Sequence, residues 1–280
     1  MTTAARPPAV GNAGFAVDNL RFVQQGRTLL ADLRLRVASG EFVCLYGPAG
    51  CGKSVLLRLL AGLEIPSFGS VSFAGRPVAG QDIERGLIVH DSGLFPWLSL
   101  TDNLVMAIDA AHPDLPAAHS RKRAKDYLAL AGLHEVGDKH PLELSQALRL
   151  RGTLARALAL DSPVLLLDDP LCVFEASERS ELQELLATLF DAALPRRTII
   201  LATQDIDEAL ALADRIIGLG PTAGPAIVDV DVPVPRPRER NTLYDAPQFQ
   251  ALRRRINDSY RQERRQRLAA REFFGFGEGI

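Results

Sequence analysis

The chain has 280 residues and a formal net charge of −2, with 47% hydrophobic and 24% charged residues. This composition is typical of one or two globular domains with a normal core, and it excludes collagen, extended disorder and a small disulfide scaffold. No apolar run approaches the roughly 18 uninterrupted residues that a membrane-spanning helix needs, so we expect any role at a membrane to depend on a partner.

The first part of the chain predicts strands, a glycine-rich loop and a helix. Residues 1–14 are small, polar and proline-containing and lack the charged and apolar regions of a signal peptide, so we expect a flexible tail on a cytoplasmic protein. Strand-like runs follow at residues 15–23 and 29–37, and a third at residues 42–46 leads into the loop. Helical spacing then extends from residue 53 to residue 61.

The middle of the chain predicts a helical insertion, and the part after it predicts alternating strands and helices. Short strand-like runs precede three segments with helical spacing, and these runs and segments lie at residues 71–73, 87–89, 101–108, 120–131 and 145–160. Strand-like and helical runs then alternate at residues 164–167, 177–190, 198–202 and 206–213, and two strand-like runs at 215–219 and 226–232 close the domain. This alternation indicates a parallel sheet covered by helices, although the pattern does not give the strand order.

Pro233, Pro235 and Pro237 cannot donate hydrogen bonds to a sheet and therefore mark a boundary. We expect a main domain at residues 15–232, with a helical subdomain at roughly 91–160, followed by a proline-rich linker and a basic helical extension at 233–280. The extension contains eleven arginines and six acidic residues. Nucleic acid would be attracted by such a charge, but we interpret it as a solvated helix face and expect no nucleic-acid partner.

A phosphate-binding loop is predicted between the third strand and the first helix. The motif GxxxxGK[ST] is matched by Gly47, Pro48, Ala49, Gly50, Cys51, Gly52, Lys53 and Ser54. Its glycines let backbone N–H groups and the helix N-terminus face an anion, while Lys53 neutralises charge and the Ser54 hydroxyl can bind Mg²⁺. An accidental glycine-rich turn is the alternative, but the strand before the motif and the helix after it favour phosphate binding.

Two carboxylates follow the apolar strand at residues 164–167. The first, Asp168, is expected to lie beside the phosphate loop and to bind Mg²⁺ through water. The alternative is that Asp168 caps the next helix, because aspartate before a turn often does so. The phosphate loop upstream favours the metal role.

These motifs resemble those of the nucleotide-binding subunits of ATP-binding-cassette (ABC) transporters. The segment at residues 85–103, with its Pro96-Trp97 pair, is similar to that of importers for nitrate, sulfonates and taurine. The resemblance implies an α/β P-loop NTPase core with an antiparallel β subdomain and a helical insertion, and it implies ATP and Mg²⁺ as cofactors. It also implies a peripheral position on the cytoplasmic face of the inner membrane, contact with a permease and, indirectly, an extracytoplasmic substrate-binding protein.

Two contact regions of the family are altered in this chain. His90 stands where the family has a glutamine that senses Mg²⁺, and it either contacts the metal site through a ring nitrogen or is an ordinary surface residue. Ser145 is retained from the family's LSGGQ signature, but Gln146 and Ala147 replace its glycines and bring Cβ atoms to a helix N-terminus that must approach phosphate. The alternative is that Ser145 only caps a helix.

The catalytic positions are altered as well. Asp169 replaces a glutamate that polarises the attacking water, and Gln204 replaces a histidine that contacts the terminal phosphate. The adenine-stacking aromatic of the family aligns with Gln24, and Phe22 could substitute only if the strand shifts by two residues. We therefore expect slow hydrolysis, because misplacing a carboxylate by about an ångström can cost on the order of a hundredfold in rate.

These features together predict an ATP-binding subunit of an importer that is weakened in catalysis and works with a second, more typical ATP-binding subunit. Lys53, Ser54 and Asp168 are retained for binding MgATP, whereas Asp169 and Gln204 depart from the family. Two alternatives remain at this point: a structural or regulatory nucleotide-binding module that does not hydrolyse ATP, and a slow homodimeric ATPase. The transported substrate is not encoded in this chain.

Overall fold

The computed structural model describes residues 13–89, 93–191, 196–234, 238 and 245–275, and at 13, 191 and 267–275 it describes only the backbone. His90, Pro235, Pro237 and most of the predicted tail lie outside these ranges.

The strands are β1 (Ala13–Gln24), β2 (Arg27–Ala38), β3 (Phe42–Tyr46), β4 (Phe68–Phe73), β5 (Arg76–Pro77), β6 (Arg85–Val89), β7 (Val164–Asp168), β8 (Thr198–Thr203), β9 (Arg215–Leu219) and β10 (Ala226–Asp231). The α-helices are α1 (Lys53–Ala61), α2 (Leu100–Ala111), α3 (Ala117–Leu130), α4 (Gln146–Ala159), α5 (Ala176–Asp191), α6 (Ile206–Leu212) and α7 (Pro247–Gly275).

The strands form two sheets. An antiparallel sheet has the order β2-β1-β4-β5, and a six-stranded sheet has the order β10-β9-β3-β8-β7-β6, in which only the β10–β9 pair is antiparallel. In the larger sheet, Tyr46 at the end of β3 is level with Thr203 of β8, and Asp168 of β7 is level with Ala202. The segments that follow β3, β7 and β8 therefore begin side by side at one edge, where ligands bind in open parallel sheets.

The central strands β3, β7 and β8 of the larger sheet are buried on both faces, which explains why they read as apolar runs without alternation. Val164 and Leu166 belong to a cluster that includes α1 and the inward face of the antiparallel sheet. Leu165 and Leu167 point the other way, into a cluster that includes α5 and α6. This is the α/β core with an antiparallel β subdomain that the sequence predicts.

The helices α2, α3 and α4 form the predicted helical insertion and share a smaller apolar cluster of their own. Asp161, just after α4, connects this insertion to the core. Its carboxylate accepts hydrogen bonds from Arg123 and Tyr127 of α3 at 3.0 and 3.2 Å and from Arg197 beside β8 at 3.1 Å, and His112 Nε2 lies 2.8 Å away. The insertion is thus fastened to the sheet by charged and polar contacts.

The long basic helix α7 packs its first half against the larger sheet. Phe249, Leu252 and Ile256 are buried at helical spacing and join the same apolar cluster as α5 and α6. Arg253 forms an ion pair with Asp207 of α6 at 2.9 Å. None of the helices that the structure describes is both long enough and apolar enough to cross a membrane.

Candidate functional site

The loop at residues 47–54 has the backbone geometry of an anion-binding turn. Gly52 precedes α1 at a φ of 101°, and a Cβ atom there would lie 2.6 Å from Leu30 Cδ2 and 3.0 Å from the carbonyl oxygen of Leu29. Only glycine fits this position without strain, because both the left-handed φ and the close approach exclude a side chain. No side chain caps the N-terminus of α1, so its first N–H groups remain directed into the loop, where phosphate oxygens can accept them.

Lys53 places its charge inside this loop. The side chain is buried, and Nζ donates hydrogen bonds to the carbonyl oxygens of Gly47 at 2.7 Å and Pro48 at 3.0 Å. The ammonium group thereby closes the loop over its own backbone and supplies positive charge where a phosphate would sit. The structure thus brings Lys53 and the two ends of the predicted loop together.

Ser54 and Asp168 meet although 114 residues separate them in sequence. Ser54 Oγ donates a hydrogen bond to Asp168 Oδ1 at 2.8 Å, which joins the first turn of α1 to the end of β7. Asp168 does not cap α5, because that helix begins only at Ala176. A hydroxyl and a carboxylate oxygen are suitable ligands for Mg²⁺, which protein sites commonly bind with one or two such groups plus substrate phosphates.

No cluster of three or more His, Cys, Asp or Glu side chains within the described part of the chain could hold a metal ion by itself. The oxygen pair of Ser54 and Asp168 therefore fits a metal that nucleotide phosphates help to bind, and it does not fit a site made of protein ligands alone.

Asp169 and Gln204, which the sequence predicts to be altered catalytic positions, contact each other directly. Gln204 Nε2 donates a hydrogen bond to Asp169 Oδ2 at 2.9 Å. The backbone of Asp169 has a φ of 46°, and its N–H donates to the carbonyl oxygen of Ala202 at 3.0 Å. The sequence predicts that both residues belong to the site, but it gives no sign of their mutual contact.

A third carboxylate, Glu208, lies beneath this pair and was not predicted from the sequence. Its side chain is 3% exposed, and it lines a cavity of about 470 Å³ together with Asp169 and Gln204. The pKa of Glu208 is raised to about 7, chiefly by burial and in smaller part by the charges of Asp205 and Asp169, while a hydrogen bond from Thr203 opposes the shift. One indication of this burial was present in the sequence, because Glu208 directly precedes the apolar run Ala209–Leu212. The same pattern is also compatible with a glutamate on the solvent-exposed face of α6.

Asp205 and Ser145 both cap helices. Asp205 accepts from the N–H groups of Asp207 and Glu208 at the start of α6. Ser145 accepts from the N–H of Leu148 at 3.3 Å at the start of α4. The capping alternative for Ser145 is therefore observed, and Gln146 is the first residue of the capped helix. Ser145 is exposed, so capping leaves its face of the helix accessible to a partner.

The predicted adenine-stacking position carries no aromatic ring. Gln24 is exposed at the end of β1. Phe22 is 5% exposed and is level with Leu30 of β2 inside the apolar cluster, so its ring fills the core of the antiparallel sheet. The structure therefore excludes the two-residue strand shift that would bring Phe22 to the stacking position.

Comparison with known proteins agrees with the fold and the loop. The profile of the family described as "ABC transporter" matches residues 30–172. The nitrate import ATP-binding protein NrtD of Synechococcus elongatus is 40% identical over 197 residues, which cover 70% of each chain. The nitrate import ATP-binding protein NrtC of the same organism is 36% identical over 241 residues, which cover 84% of this chain and 36% of that longer protein.

A solved structure shares the architecture. The dimeric post-hydrolysis state of the ATP-binding cassette MJ0796, bound to ADP and Pi, aligns with a TM-score of 0.68 at 25% identity and covers 79% of this chain and 99% of its own. The matched family profile includes both the phosphate loop and Asp168 with Asp169. The chain therefore belongs to the ABC transporter family, as one of its ATP-binding subunits.

Proposed function

We propose that this subunit binds MgATP at the cytoplasmic face of a membrane, docks on the permease of an importer for a small inorganic anion such as nitrate, and leaves most ATP hydrolysis to a second ATP-binding subunit. One observation carries the proposal. Lys53 lies inside the phosphate loop and Ser54 contacts Asp168, so the residues that match the family's binding chemistry are in place, whereas the neighbouring pair of Asp169 and Gln204 departs from its catalytic chemistry.

Nucleotide binding is supported by the phosphate loop and by the oxygen pair beside it. The N–H groups at the start of α1 and the ammonium group of Lys53 provide donors and positive charge for the phosphates. Ser54 and Asp168 would hold Mg²⁺, which neutralises charge between phosphate oxygens when it is bound. Each of these residues matches the family pattern at its own position in the chain.

Weak hydrolysis is supported by the length and the surroundings of Asp169. An aspartate is one methylene shorter than the glutamate of the family, and a displacement of about 1 Å can cost on the order of a hundredfold in rate. The hydrogen bond from Gln204 also occupies Oδ2, one of the two oxygens with which Asp169 could orient water. Gln204 itself donates hydrogen bonds but does not titrate near neutral pH, so it does not replace a histidine in proton transfer.

Pairing with a second subunit follows from the arrangement in the family, where each nucleotide lies between the phosphate loop of one subunit and the signature segment of the other. In a homodimer, both sites would contain Asp169 and Gln204 together with the altered signature at Gln146 and Ala147. In a heterodimer, the defects are divided between two sites. Synechococcus elongatus has two different nitrate import ATP-binding proteins, NrtD and NrtC, and this chain is similar to both. Their coexistence in one organism supports a heterodimer for this chain.

The proposal is tested by phosphate release from the purified chain and from the intact transporter isolated with its second ATP-binding chain. We expect slow release from this chain alone and a faster rate from the complex. Turnover of several per second by the chain alone, near the median of roughly 10 per second for enzymes, would contradict weakened catalysis.

A binding titration separates the proposal from the alternative of a module without nucleotide. We expect saturable MgATP binding that Lys53→Ala abolishes. Absence of saturable binding at millimolar nucleotide would favour a purely structural role and would overturn the assignment of the phosphate loop.

A further inference from the structure

Tyr260 of α7 reaches the base of the phosphate loop. It follows Phe249, Leu252 and Ile256 on the buried face of the helix, one turn beyond Ile256. Its hydroxyl lies 2.9 Å from the carbonyl oxygens of both Tyr46 and Leu219, the last residues of β3 and β9. A phenol has one hydrogen, so the two carbonyl oxygens share a single donor.

Two glycines, Gly47 and Gly218, leave space for the Tyr260 hydroxyl. A Cβ atom at Gly47 would lie 3.3 Å from the Tyr260 oxygen, and one at Gly218 would lie 3.0 Å from it. The Tyr260 ring also packs edge-on against the ring of Tyr46, with 5.1 Å between centroids. Burial raises the pKa of Tyr260, so the hydroxyl keeps its proton and remains a donor at physiological pH.

The contact fixes the peptide group that begins the loop. The carbonyl of Tyr46 and the N–H of Gly47 belong to one planar unit, so holding both ends sets its orientation. Tyr260 donates to the carbonyl end, and the N–H end donates to the carbonyl oxygen of Thr203 at 3.4 Å. The next carbonyl, that of Gly47, accepts the hydrogen bond from Lys53 Nζ. The peptide group that Tyr260 orients is therefore next in the chain to the Gly47 carbonyl, which binds the Lys53 ammonium group.

We propose that Tyr260 is a positioning residue for nucleotide binding, through which the C-terminal helix holds the phosphate loop in its binding conformation. The inference rests on the proposed function only in that the loop binds MgATP. It assigns to α7 a role in the ATP site that is independent of the basic charge of the helix. The contribution comes from one hydroxyl and not from the packing of the ring.

The test compares Tyr260→Phe with Tyr127→Phe in the full chain. Both variants remove one hydroxyl and keep the ring, but Tyr127 donates to Asp161 in the helical insertion. We measure the dissociation constant of MgATP, the unfolding temperature without nucleotide, and hydrogen exchange of the amides at residues 47–54. We expect Tyr260→Phe to weaken MgATP binding about fivefold and to speed exchange in the loop, since a net hydrogen bond stabilises by about 1 kcal/mol. We expect Tyr127→Phe to change neither.

The outcomes are distinguishable from those of the proposed function. A lower unfolding temperature with unchanged affinity and unchanged loop exchange would make Tyr260 merely structural and would overturn the inference. Equal effects of the two tyrosine variants would do the same. Lys53→Ala serves as the reference: if it leaves MgATP affinity unchanged, the phosphate-loop assignment itself fails, and if it abolishes binding while Tyr260→Phe binds normally, only the role of Tyr260 fails.

Discussion

Gln204 donates a hydrogen bond to the carboxylate of Asp169 across 2.9 Å, so the two residues that the sequence predicts to be altered catalytic groups contact each other. They come from different strand ends, β8 and β7, which are neighbours in the sheet. Substitutions of residues in direct contact typically have non-additive effects. We therefore expect the effects of substitutions at Asp169 and Gln204 to be coupled.

The first prediction concerns that pair. Replacing Asp169→Glu and Gln204→His together restores the longer carboxylate and a titratable ring. We expect ATP turnover in the intact transporter to rise by about 10-fold to 100-fold, which is the size that correct placement and proton transfer contribute. Phosphate release at saturating MgATP measures the effect.

Each single substitution is the control for the pair. Because of the contact, we expect the two single gains, added as free energies, to fall short of the gain of the double variant. If the double variant turns over ATP at the wild-type rate, Asp169 is already an adequate catalytic group and the weakened-site proposal is wrong.

The second prediction concerns the metal. Asp168→Asn keeps a side-chain oxygen near Ser54 but removes the negative charge. We expect the affinity for MgATP to fall by about 10-fold to 100-fold, as is typical when a residue that orients metal-bound water is lost. Titration with ATP in excess chelator is the control, and there the variant and the wild type should agree within about twofold. An equal loss with and without Mg²⁺ would argue against a metal role for Asp168.

The third prediction concerns the exposed residue at the end of β1. Gln24→Tyr places a ring at the position where the resemblance implies an adenine-stacking aromatic, and a base stacked on an aromatic side chain gains roughly 1 kcal/mol or more. We expect MgATP to bind about fivefold more tightly, as measured by calorimetry. Gln24→Leu adds apolar surface without a π face and should bind as the wild type does. If the tyrosine and leucine variants bind alike, adenine does not lie against this residue.

The fourth prediction concerns pH. The pKa of Glu208 is raised from the ordinary glutamate value of 4.5 to about 7 in the folded protein. The folded state therefore binds the proton more tightly, and this contribution to stability is complete below pH 4.5 and is lost as the pH rises through 7. Glu208→Gln removes the effect and keeps an oxygen that can accept from Thr203.

We expect the stability of Glu208→Gln relative to the wild type to increase between pH 5 and pH 8 by on the order of 1 to 3 kcal/mol, as measured by urea unfolding. Glu184→Gln, at an exposed position of α5, is the matched control and should keep the wild-type dependence. Parallel pH profiles of the wild type and Glu208→Gln would show that Glu208 ionises normally.

The sequence predicts those parts of the fold and site that depend on local patterns. The phosphate loop, α1 and the apolar strand before Asp168 lie where the motif and the periodicity place them. The contact between Ser54 and Asp168 was predictable, because each residue belongs to a motif at the end of a strand of the parallel sheet. The starts of helices α4 and α6 were also predictable from the sequence, since the small polar residues Ser145 and Asp205 directly precede them.

Contacts between distant segments were not accessible in this way. The strand order β9-β3-β8-β7 puts Leu219 beside Tyr46 and Asp169 near Gln204, but nothing in the strands themselves specifies neighbours. Phe22 could not be excluded as a stacking residue until its burial was known. Strand β5 has only two residues and is therefore too short to be predicted from a periodic pattern in the sequence.

The contact between Tyr260 and Tyr46 spans 214 residues. A ribosome adds residues at about 5 to 20 per second, so the loop is synthesised roughly ten seconds or more before the tyrosine that holds it. During that interval the nascent domain has a complete nucleotide motif without its final support. If Tyr260 supports the loop as proposed, a chain that terminates before this residue would have a complete sheet but a lower affinity for nucleotide.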